Sequence, residues 1–251
     1  MSARSRARTD RANRVAQRTR AVSIQALREA VCEANVELFR RGLAHFTFGN
    51  ASAVDRKQGL VAIKPSGVPY EELRPALMVV TDLRGEVLEG VLNPSSDLAT
   101  HLELYRAFGE IGGIAHTHSM FATAFAQARR EIPCLGTTHA DYFHGTIPVT
   151  KPLTAAQVAR DYEHNTGVAI VRRFKGLDPR GMPAVLVANH ASFCWGPSVA
   201  AAVDNASYLE EVATMAYCTL LIDPKAAPVS KALLDRHFLR KHGSDATYGQ
   251  R

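Results

Sequence analysis

The sequence of 251 residues is 46% hydrophobic and 22% charged, the composition of a globular protein with one substantial core. No apolar run approaches the roughly 18 residues that a membrane span needs, so we expect no membrane partner. The four cysteines are scattered and form no C-x-x-C pair. This argues against a disulfide framework and predicts a reducing, cytoplasmic location.

The net charge of +6 is concentrated in the first 20 residues, which hold seven arginines and one acidic residue, Asp10. A nucleic-acid binder would spread positive charge over a folded face, so we expect no nucleic-acid partner. The Arg/Ser/Ala composition predicts a disordered arm over residues 1–21, ahead of one domain over residues 22–251. The arm lacks the apolar core of a secretory signal, although its composition resembles a mitochondrial transit peptide.

Hydrophobic periodicity predicts the elements of the domain in chain order. A helix over residues 22–41 would end at Gly42, and the stretch Asn93-Pro-Ser-Ser-Asp97 would open a second helix over residues 98–108. Further helices are expected over residues 120–128, 153–158, 199–222 and 235–242. Alternating or continuous apolar runs predict strands over residues 46–54, 60–63, 78–81, 86–89 and 184–188, and one running into residues 111–119. The predicted fold class is α/β, a single domain with a central, mainly antiparallel β-sheet and helices on both sides.

Two histidines mark the stretch over residues 111–119. His116 and His118 are two positions apart on a predicted strand, so both imidazoles face the same way. Neutral imidazoles at a strand end can hold a borderline divalent metal such as zinc, although two chance surface histidines are the alternative. His190 also follows a predicted strand and would complete a three-imidazole set if the two strands were neighbours. Otherwise it is an ordinary hydrogen-bonded polar residue.

Two polar turns have the chemistry of an anion site. Ser66 offers a hydroxyl and Gly67 an unobstructed backbone N–H, while Ser95 and Ser96 precede a helix whose N-terminus favours a phosphate. The alternative is that both are ordinary turns and caps. No two glycines are two residues apart, so the chain has no G-x-G-x-x-G motif, and a G-x-x-x-x-G-K-[ST] motif is missing too.

A set of short motifs, each weak alone, becomes specific through its order and spacing. The motifs are Gly49-Asn50, Lys64-Pro-Ser-Gly67, Pro94-Ser-Ser-Asp97, Gly112-Gly-Ile-Ala-His-Thr-His118, Gly136-Thr-Thr-His-Ala-Asp-Tyr-Phe143, Arg240-Lys-His-Gly243 and Tyr248-Gly-Gln250. Together they resemble the L-ribulose-5-phosphate 4-epimerases, a family of the class II aldolase and adducin-head superfamily. The resemblance runs from about residue 24 to the C-terminus and leaves out the Arg-rich arm.

The resemblance implies a zinc site, or a site for another divalent metal ion, built from His116, His118 and His190 with Asp97 beside the metal. It implies acid–base and metal-neighbouring roles for three catalytic residues, Asp97, Asp141 and Tyr248. The implied phosphate pocket consists of Asn50, Lys64, Ser66, Gly67, Ser95 and Ser96. Secondary positions in or near the site are Thr137, Glu163, His237 and Arg240. A homotetramer with sites at subunit interfaces is also implied.

One position separates the relatives. Sugar-phosphate aldolases carry Glu after the Ser-Ser pair, whereas this chain has Asp97, as the epimerases do. The sequence around the third histidine departs locally, since some relatives have an additional histidine in place of Ala188. The ligand position itself, His190, is kept.

The implied activity is 4-epimerisation of L-ribulose 5-phosphate, a small-molecule sugar phosphate, to D-xylulose 5-phosphate. The C4 proton is not acidic, so inversion needs oxidation by NAD or cleavage of the C3–C4 bond. Since no dinucleotide motif is present, we expect retro-aldol cleavage and re-addition, with Asp141 and Tyr248 moving protons on opposite faces. The alternatives are a class II sugar-phosphate aldolase and a non-enzymatic adducin-like binding module. Arabinose breakdown and ascorbate breakdown are the two alternative sources of the pentulose.

Overall fold

A seven-stranded antiparallel sheet forms the centre of the computed structural model, which describes residues 3–243 and 246–248 and, for residues 3–19, the backbone alone. The strands are β1 (Asn50–Asp55), β2 (Leu60–Ile63), β3 (Val79–Asp82), β4 (Val87–Glu89), β5 (Gly113–Thr117), β6 (Ala184–Leu186) and β7 (Ser192–Gly196). Their order across the sheet is β4, β3, β2, β1, β5, β7, β6. Strands β1 to β4 form the predicted meander, and β5 joins it beside β1.

Helices cover both faces of the sheet. They are α1 (Ala3–Arg40), α2 (Leu98–Ala107), α3 (Met120–Gln127), α4 (Thr137–Ala140), α5 (Ala155–Arg160), α6 (Tyr162–Arg173), α7 (Val199–Ile222) and α8 (Lys231–His242), with 3₁₀ turns at Tyr70–Glu72 and Pro75–Leu77. The predicted α/β class, with a mainly antiparallel sheet between helices, is confirmed. Among the described residues, no helix is both long and apolar enough to cross a membrane.

One face of the sheet packs on α1 and α7. The Asn35 side chain in α1 bonds both the N–H and the C=O of Ala51 in β1. Three glycines on the other strands, which we call the glycine seam (Gly112, Gly113 and Gly196), bring the backbone against the start of α7. A Cβ added at Gly113 would lie 2.2 Å from the Cα of Val199. The sheet therefore meets α7 at backbone contact distance.

The opposite face of the sheet packs on α2 and α6. Trp195 of β7 is buried there, with its ring 5.2 Å from Phe108 and 4.9 Å from Phe174. Ser52 of β1 and Phe193 of β7 point to the same face and contact His101 of α2. This α2 side of the sheet is also the side on which the predicted histidines lie.

Several elements differ between the prediction and the structure. Helix α1 begins at Ala3 rather than residue 22, so part of the arm predicted to be disordered carries helical backbone. Its residues are helix-compatible, since Arg and Ala are strong helix formers and no Pro or Gly interrupts them. Residues 46–48 form a turn, with Phe46 at φ 55°, instead of the start of a strand. Sequence reasoning also missed α6 and β7, and it started α8 four residues late.

Candidate metal centre and substrate pocket

The candidate site lies at one end of three neighbouring strands. Asn50 begins β1 and pairs in register with His116 near the end of β5. His116 in turn pairs with Phe193 of β7, and His190 lies in the tight turn that joins β6 to β7. The two predicted strands that carry the histidines, β5 and β6, are not neighbours, because β7 lies between them. His190 comes close to His116 and His118 through the turn that leads into β7, and Asn50 lies beside His116 on β1.

Three imidazoles form a compact group in which one ring nitrogen from each lies within 4.8 Å of the others. The Nε2 atoms of His116 and His118 are 3.2 Å apart. Two nitrogens bound to one tetrahedral zinc, each about 2.0–2.1 Å from it, would be separated by about 3.3 Å. The observed spacing therefore fits a divalent metal held by His116, His118 and His190.

The protonation state of the three imidazoles also fits a metal. The Nδ1–H of His116 donates to the Ser192 carbonyl at 2.8 Å, which leaves the Nε2 lone pair facing the group. Burial lowers the pKa of His116 and His118, and it lowers the pKa of His190 to about 4. All three rings are consequently neutral near pH 7. Nδ1 of His190 is buried without a hydrogen-bond partner among the described residues, which leaves it free for a ligand.

Asp97 flanks the imidazole group without belonging to it. It occupies the N-cap position of α2, yet its side chain makes no capping hydrogen bond. Its Oδ2 instead accepts from Asn50 Nδ2 at 2.7 Å and lies 3.8 Å from Nε2 of His116. Burial raises the pKa of Asp97, but the imidazoles and the Asn50 hydrogen bond outweigh it and lower the pKa overall. An ionised carboxylate therefore faces the metal-type residues.

Lys64 is a buried amine at the floor of the neighbouring loop. Its side chain is 2% exposed, and its Nζ lies 4.9 Å from the centre of the Tyr70 ring, with no ion pair to a described carboxylate. Burial lowers the pKa of Lys64 to about 8. An anion entering the pocket would supply the partner that this ammonium group lacks.

The two predicted anion-binding turns lie side by side. The Ser95 N–H donates to the Lys64 carbonyl at 3.0 Å, and the Ser66 N–H donates to the Asn93 carbonyl at 3.0 Å. Ser95 accepts weakly from the Asp97 N–H at 3.4 Å, so its hydroxyl stays near the start of α2. The two loops consequently form one polar wall next to the imidazoles.

These walls enclose a cleft of about 360 Å³. Eleven predicted site residues line it: Asn50, Lys64, Ser66, Gly67, Ser95, Ser96, Asp97, His116, His118, Glu163 and His190. Five lining residues were not predicted as site residues: Thr47, Phe48, Gly49, Pro65 and Tyr162. Each lies within two positions of a predicted residue or of the Gly49-Asn50 motif, so proximity along the chain is the signal that could have found them.

Gly49 is required where the turn over residues 45–49 meets the end of β5. Its φ is +78°, and a Cβ there would lie 2.7 Å from the His116 carbonyl oxygen. The Tyr70 hydroxyl is placed between the carbonyls of Phe48 and Gly49, at 2.7 and 2.9 Å. This turn sets both the mouth of the cleft and the position of a metal-type histidine.

The other five predicted site residues form a second group outside this cleft: Thr137, Asp141, His237, Arg240 and Tyr248. Asp141 follows α4, one turn after Thr137, and its carboxylate pairs with Arg240 at 2.8 and 2.9 Å and with Nδ1 of His237 at 3.0 Å. The Tyr248 ring is 64% exposed and packs under Arg240 and Lys241. Within one chain none of these five residues lines the cleft.

The second group is anchored on α8 by charge. Burial raises the pKa of Asp141, but the hydrogen bonds from Arg240 and His237 and the charge of Lys241 lower it overall. Lys241 lies 3.6 Å from Oδ2 of Asp141 and 4.2 Å from the centre of the Tyr248 ring. The carboxylate and the phenol are therefore held next to each other by the same cations.

Comparisons with known proteins agree with this architecture. Of the solved structures, an L-fuculose 1-phosphate aldolase is 25% identical with a TM-score of 0.72, over 84% of this chain and 94% of that one. YgbL of Klebsiella pneumoniae, a candidate aldolase/epimerase/decarboxylase, is 26% identical with a TM-score of 0.65, over 85% and 98%. The L-fuculose-1-phosphate aldolase from Thermus thermophilus shares the fold at 24% identity and a TM-score of 0.62, over 81% and 98%.

A family model gives the assignment. The model described as "Class II Aldolase and Adducin N-terminal domain" matches residues 29–217, a segment that contains the cleft, the three imidazoles and Asp141. The match covers well over half of the sequence. This chain therefore belongs to the class II aldolase and adducin N-terminal domain family.

Proposed function

We propose that the protein is a metal-dependent L-ribulose-5-phosphate 4-epimerase, an isomerase that works by retro-aldol cleavage and re-addition. The observation that carries the proposal is Asp97, which follows the Ser-Ser pair and lies 3.8 Å from Nε2 of His116. Class II aldolases use divalent metals, and the three imidazoles have the spacing and neutrality that zinc needs. The fuculose-phosphate aldolase neighbours support the same bond chemistry on a sugar phosphate.

The substrate phosphate would lie against the Lys64 ammonium and the backbone N–H groups of the two loops. A buried lysine without a carboxylate partner has its charge neutralised by a phosphate, which explains how the chain keeps it inside. This anchor would hold the glycolaldehyde phosphate fragment while its aldehyde rotates. Ser66, Gly67, Ser95 and Ser96 would add donors around the same group.

The reaction breaks the C3–C4 bond. A base removes the proton of the C4 hydroxyl, the bonding electrons move to C3, and an enediolate and an aldehyde result. A divalent metal held by His116, His118 and His190 would supply Lewis-acid stabilisation of the negative charge that develops in this step. Asp97 keeps its negative charge beside the imidazoles and would orient the enediol hydroxyl. Rotation of the aldehyde and attack on its other face give the epimer once an acid returns the proton.

The acid and base in this proposal are Asp141 and Tyr248 of a neighbouring subunit. The two residues lie together on a surface apart from the cleft of their own chain, and Tyr248 is exposed. A homotetramer in which this surface covers the next subunit's cleft would place them on the substrate. Their surroundings fit the role in one respect: Arg240, His237 and Lys241 lower the pKa of Asp141 and keep it ionised, the form that a general base must have before it takes up a proton.

The direct test is product analysis. The zinc-loaded protein is incubated with L-ribulose 5-phosphate, and the products are separated and identified. D-xylulose 5-phosphate as the main product is expected. Net release of dihydroxyacetone and glycolaldehyde phosphate would show an aldolase, and no conversion by fully zinc-loaded protein would refute the proposal.

A separate experiment tests whether each active site is shared between two subunits. His118→Ala and Tyr248→Phe homo-oligomers should each be nearly inactive, but refolded together they should form hybrids that contain intact sites. Activity in the mixture well above the sum of the separate variants is expected. A mixture no more active than its components would refute the interfacial site, and native mass spectrometry gives the subunit number and confirms that hybrids formed.

The second candidate is a class II sugar-phosphate aldolase, favoured by the names of the two L-fuculose-phosphate aldolase neighbours. L-fuculose 1-phosphate is the substrate with which to test it. An adducin-like binding module is the remote third candidate, for which bound zinc would have no use. The proposal also includes a cytoplasmic location, which the four free cysteines support.

A further inference from the structure

A fourth histidine, His101, lies beneath the candidate metal centre and is used by neither the cleft nor the second group. It is fully buried in α2, one helical turn after Asp97, and its N–H donates to the Asp97 carbonyl. Its ring packs edge-on against Phe193 at 5.8 Å, and Phe193 stacks flat on His116 at 4.2 Å. His101 is therefore linked to the candidate metal centre in two ways. Its backbone N–H bonds Asp97, and its ring packs on Phe193, which stacks on His116.

The hydrogen bonds of His101 define which nitrogen carries its proton. Nδ1 lies 2.6 Å from the Ser52 hydroxyl, and that hydroxyl lies 2.8 Å from the Tyr105 hydroxyl. Tyr105 is buried, and Ser52 is the acceptor for its O–H among the described residues. Tyr105 therefore donates to Ser52, and Ser52 donates to Nδ1. Because burial lowers the pKa of His101 to about 3, the neutral ring carries its single proton on Nε2.

This Nε2–H is a donor with an unmet requirement. Nε2 is buried and has no hydrogen-bond partner among the described residues. A buried donor without an acceptor destabilises the fold, so its retention calls for a favourable charge nearby. Asp97 is the candidate for that charge, because residues four apart on a helix lie on the same face and the Asp97 side chain does not cap its own helix.

We propose that His101 is a positioning residue for the metal centre: its Nε2–H stabilises the Asp97 carboxylate from the next helical turn, while Asn50 donates a hydrogen bond to the same carboxylate. The chain of donors from Tyr105 fixes the tautomer, and the Phe193 stack transmits the ring position to His116. The inference rests on the proposed metal-dependent function. It adds a second support to Asp97, whose ionised oxygen must stay beside the metal ligands rather than cap its own helix.

A matched pair of substitutions separates the donor from the packing. An Asn amide reaches about as far as Nδ1, and a Gln amide about as far as Nε2. His101→Asn should therefore keep the Ser52 contact and lose the donor to Asp97, whereas His101→Gln should keep the donor. We expect His101→Asn to weaken zinc binding about tenfold and His101→Gln to weaken it clearly less, the size typical of lost support to a metal ligand. Thr81→Val on β3 is the control, because the Thr81 hydroxyl is also a buried polar group without a hydrogen-bond partner among the described residues.

The readouts are the zinc dissociation constant from competition with a chromophoric chelator and the visible spectrum of the cobalt-substituted protein. The same constants are measured in an Asp97→Asn background, where His101→Asn should have no further effect because the acceptor charge is gone. If His101→Asn fails to fold, Ser52→Ala and Tyr105→Phe break the donor chain and should weaken zinc binding in the same direction.

The outcomes are distinguishable. Unchanged zinc binding in His101→Asn, equal losses in the Asn and Gln variants, or losses that add to Asp97→Asn would each overturn the inference while the wild type still binds zinc. A wild type without zinc affinity would instead overturn the proposed function and the inference with it. Both outcomes are read from the zinc dissociation constant and the cobalt spectrum, so neither depends on which sugar phosphate the protein converts.

Discussion

Replacing Lys64 with methionine should stabilise the protein and abolish anion binding at the same time. The ammonium group is 2% exposed and has no carboxylate partner among the described residues, so it lowers stability until an anion arrives. Methionine keeps the length and the apolar contact with Tyr70 but carries no charge. The substitution therefore separates the cost of the buried charge from the packing of its stem.

The size of the effect follows from the pKa of Lys64, which burial lowers from 10.5 to about 8. Between these values the unfolded chain holds a proton that the folded chain has lost, so stability rises with pH across this window. Below pH 8 the full penalty applies, about 3 kcal/mol. Lys64→Met should thus gain roughly that much at pH 7, and its advantage should shrink towards zero as the pH approaches 10.5.

The assay is urea unfolding of both proteins at pH 7, 8, 9 and 10, with calorimetric titration of inorganic phosphate at each pH. In the wild type phosphate affinity should fall above pH 8, and in Lys64→Met it should be at least tenfold weaker at pH 7 and independent of Lys64 titration. Lys57→Met, at an exposed turn, is the control. A destabilised Lys64→Met at pH 7, or one that binds phosphate like the wild type, would refute the reasoning.

Other predictions concern the metal, the turn, the second group and the arm. Chelation should abolish turnover and zinc should restore it, and His118→Ala should lose zinc by elemental analysis while its circular dichroism stays unchanged. Gly49→Ala should cost at least about 1–2 kcal/mol of stability from its φ of +78° and also weaken zinc binding, whereas Gly59→Ala, at φ +66° in open space, should keep zinc binding. Asp141→Asn should slow turnover roughly 10²- to 10⁴-fold with normal zinc content, and wild-type rates would remove it from the mechanism. Deleting residues 1–20 should lower the isoelectric point and leave turnover nearly unchanged; a large loss in a folded protein would give the arm a role.

Local pattern was enough for elements whose periodicity is strong. Strand β2 and helix α7 have the predicted bounds, 60–63 and 199–222. Helix α6 was missed because its Gly167 and β-branched residues disfavour a helix, while in the fold Gly167 allows the close contact with Glu103 of α2. Tertiary packing thus decided what the local sequence left open.

The candidate site also has a part that local sequence pattern predicts and a part that depends on tertiary packing. The family resemblance implied the grouping of the three imidazoles, whereas the apolar strands alone left the place of His190 open. In the sheet β7 lies between β5 and β6, and the turn before β7 brings His190 to the other two histidines. No spacing rule indicates that Asp141 and Tyr248 belong to a surface apart from the cleft, since that depends on where α8 docks. His101 was missed for a physical reason too, because a single histidine within a helix has no sequence signal until its burial and partners are known.

The glycine seam has a consequence for motion. Gly112, Gly113 and Gly196 let β5 and β7 come close to the start of α7. Added Cβ atoms would lie 2.1 Å from the Pro197 carbonyl oxygen, 2.2 Å from the Val199 Cα and 2.8 Å from the Ala201 Cβ. At these three positions no strand side chain separates the sheet from the helix. Strands and helix should then fluctuate as one rigid plate, and the freedom left to the imidazoles is rotation about their own side-chain bonds. A ligand set mounted on such a plate can adapt to a metal ion by turning rings, without the strands moving apart.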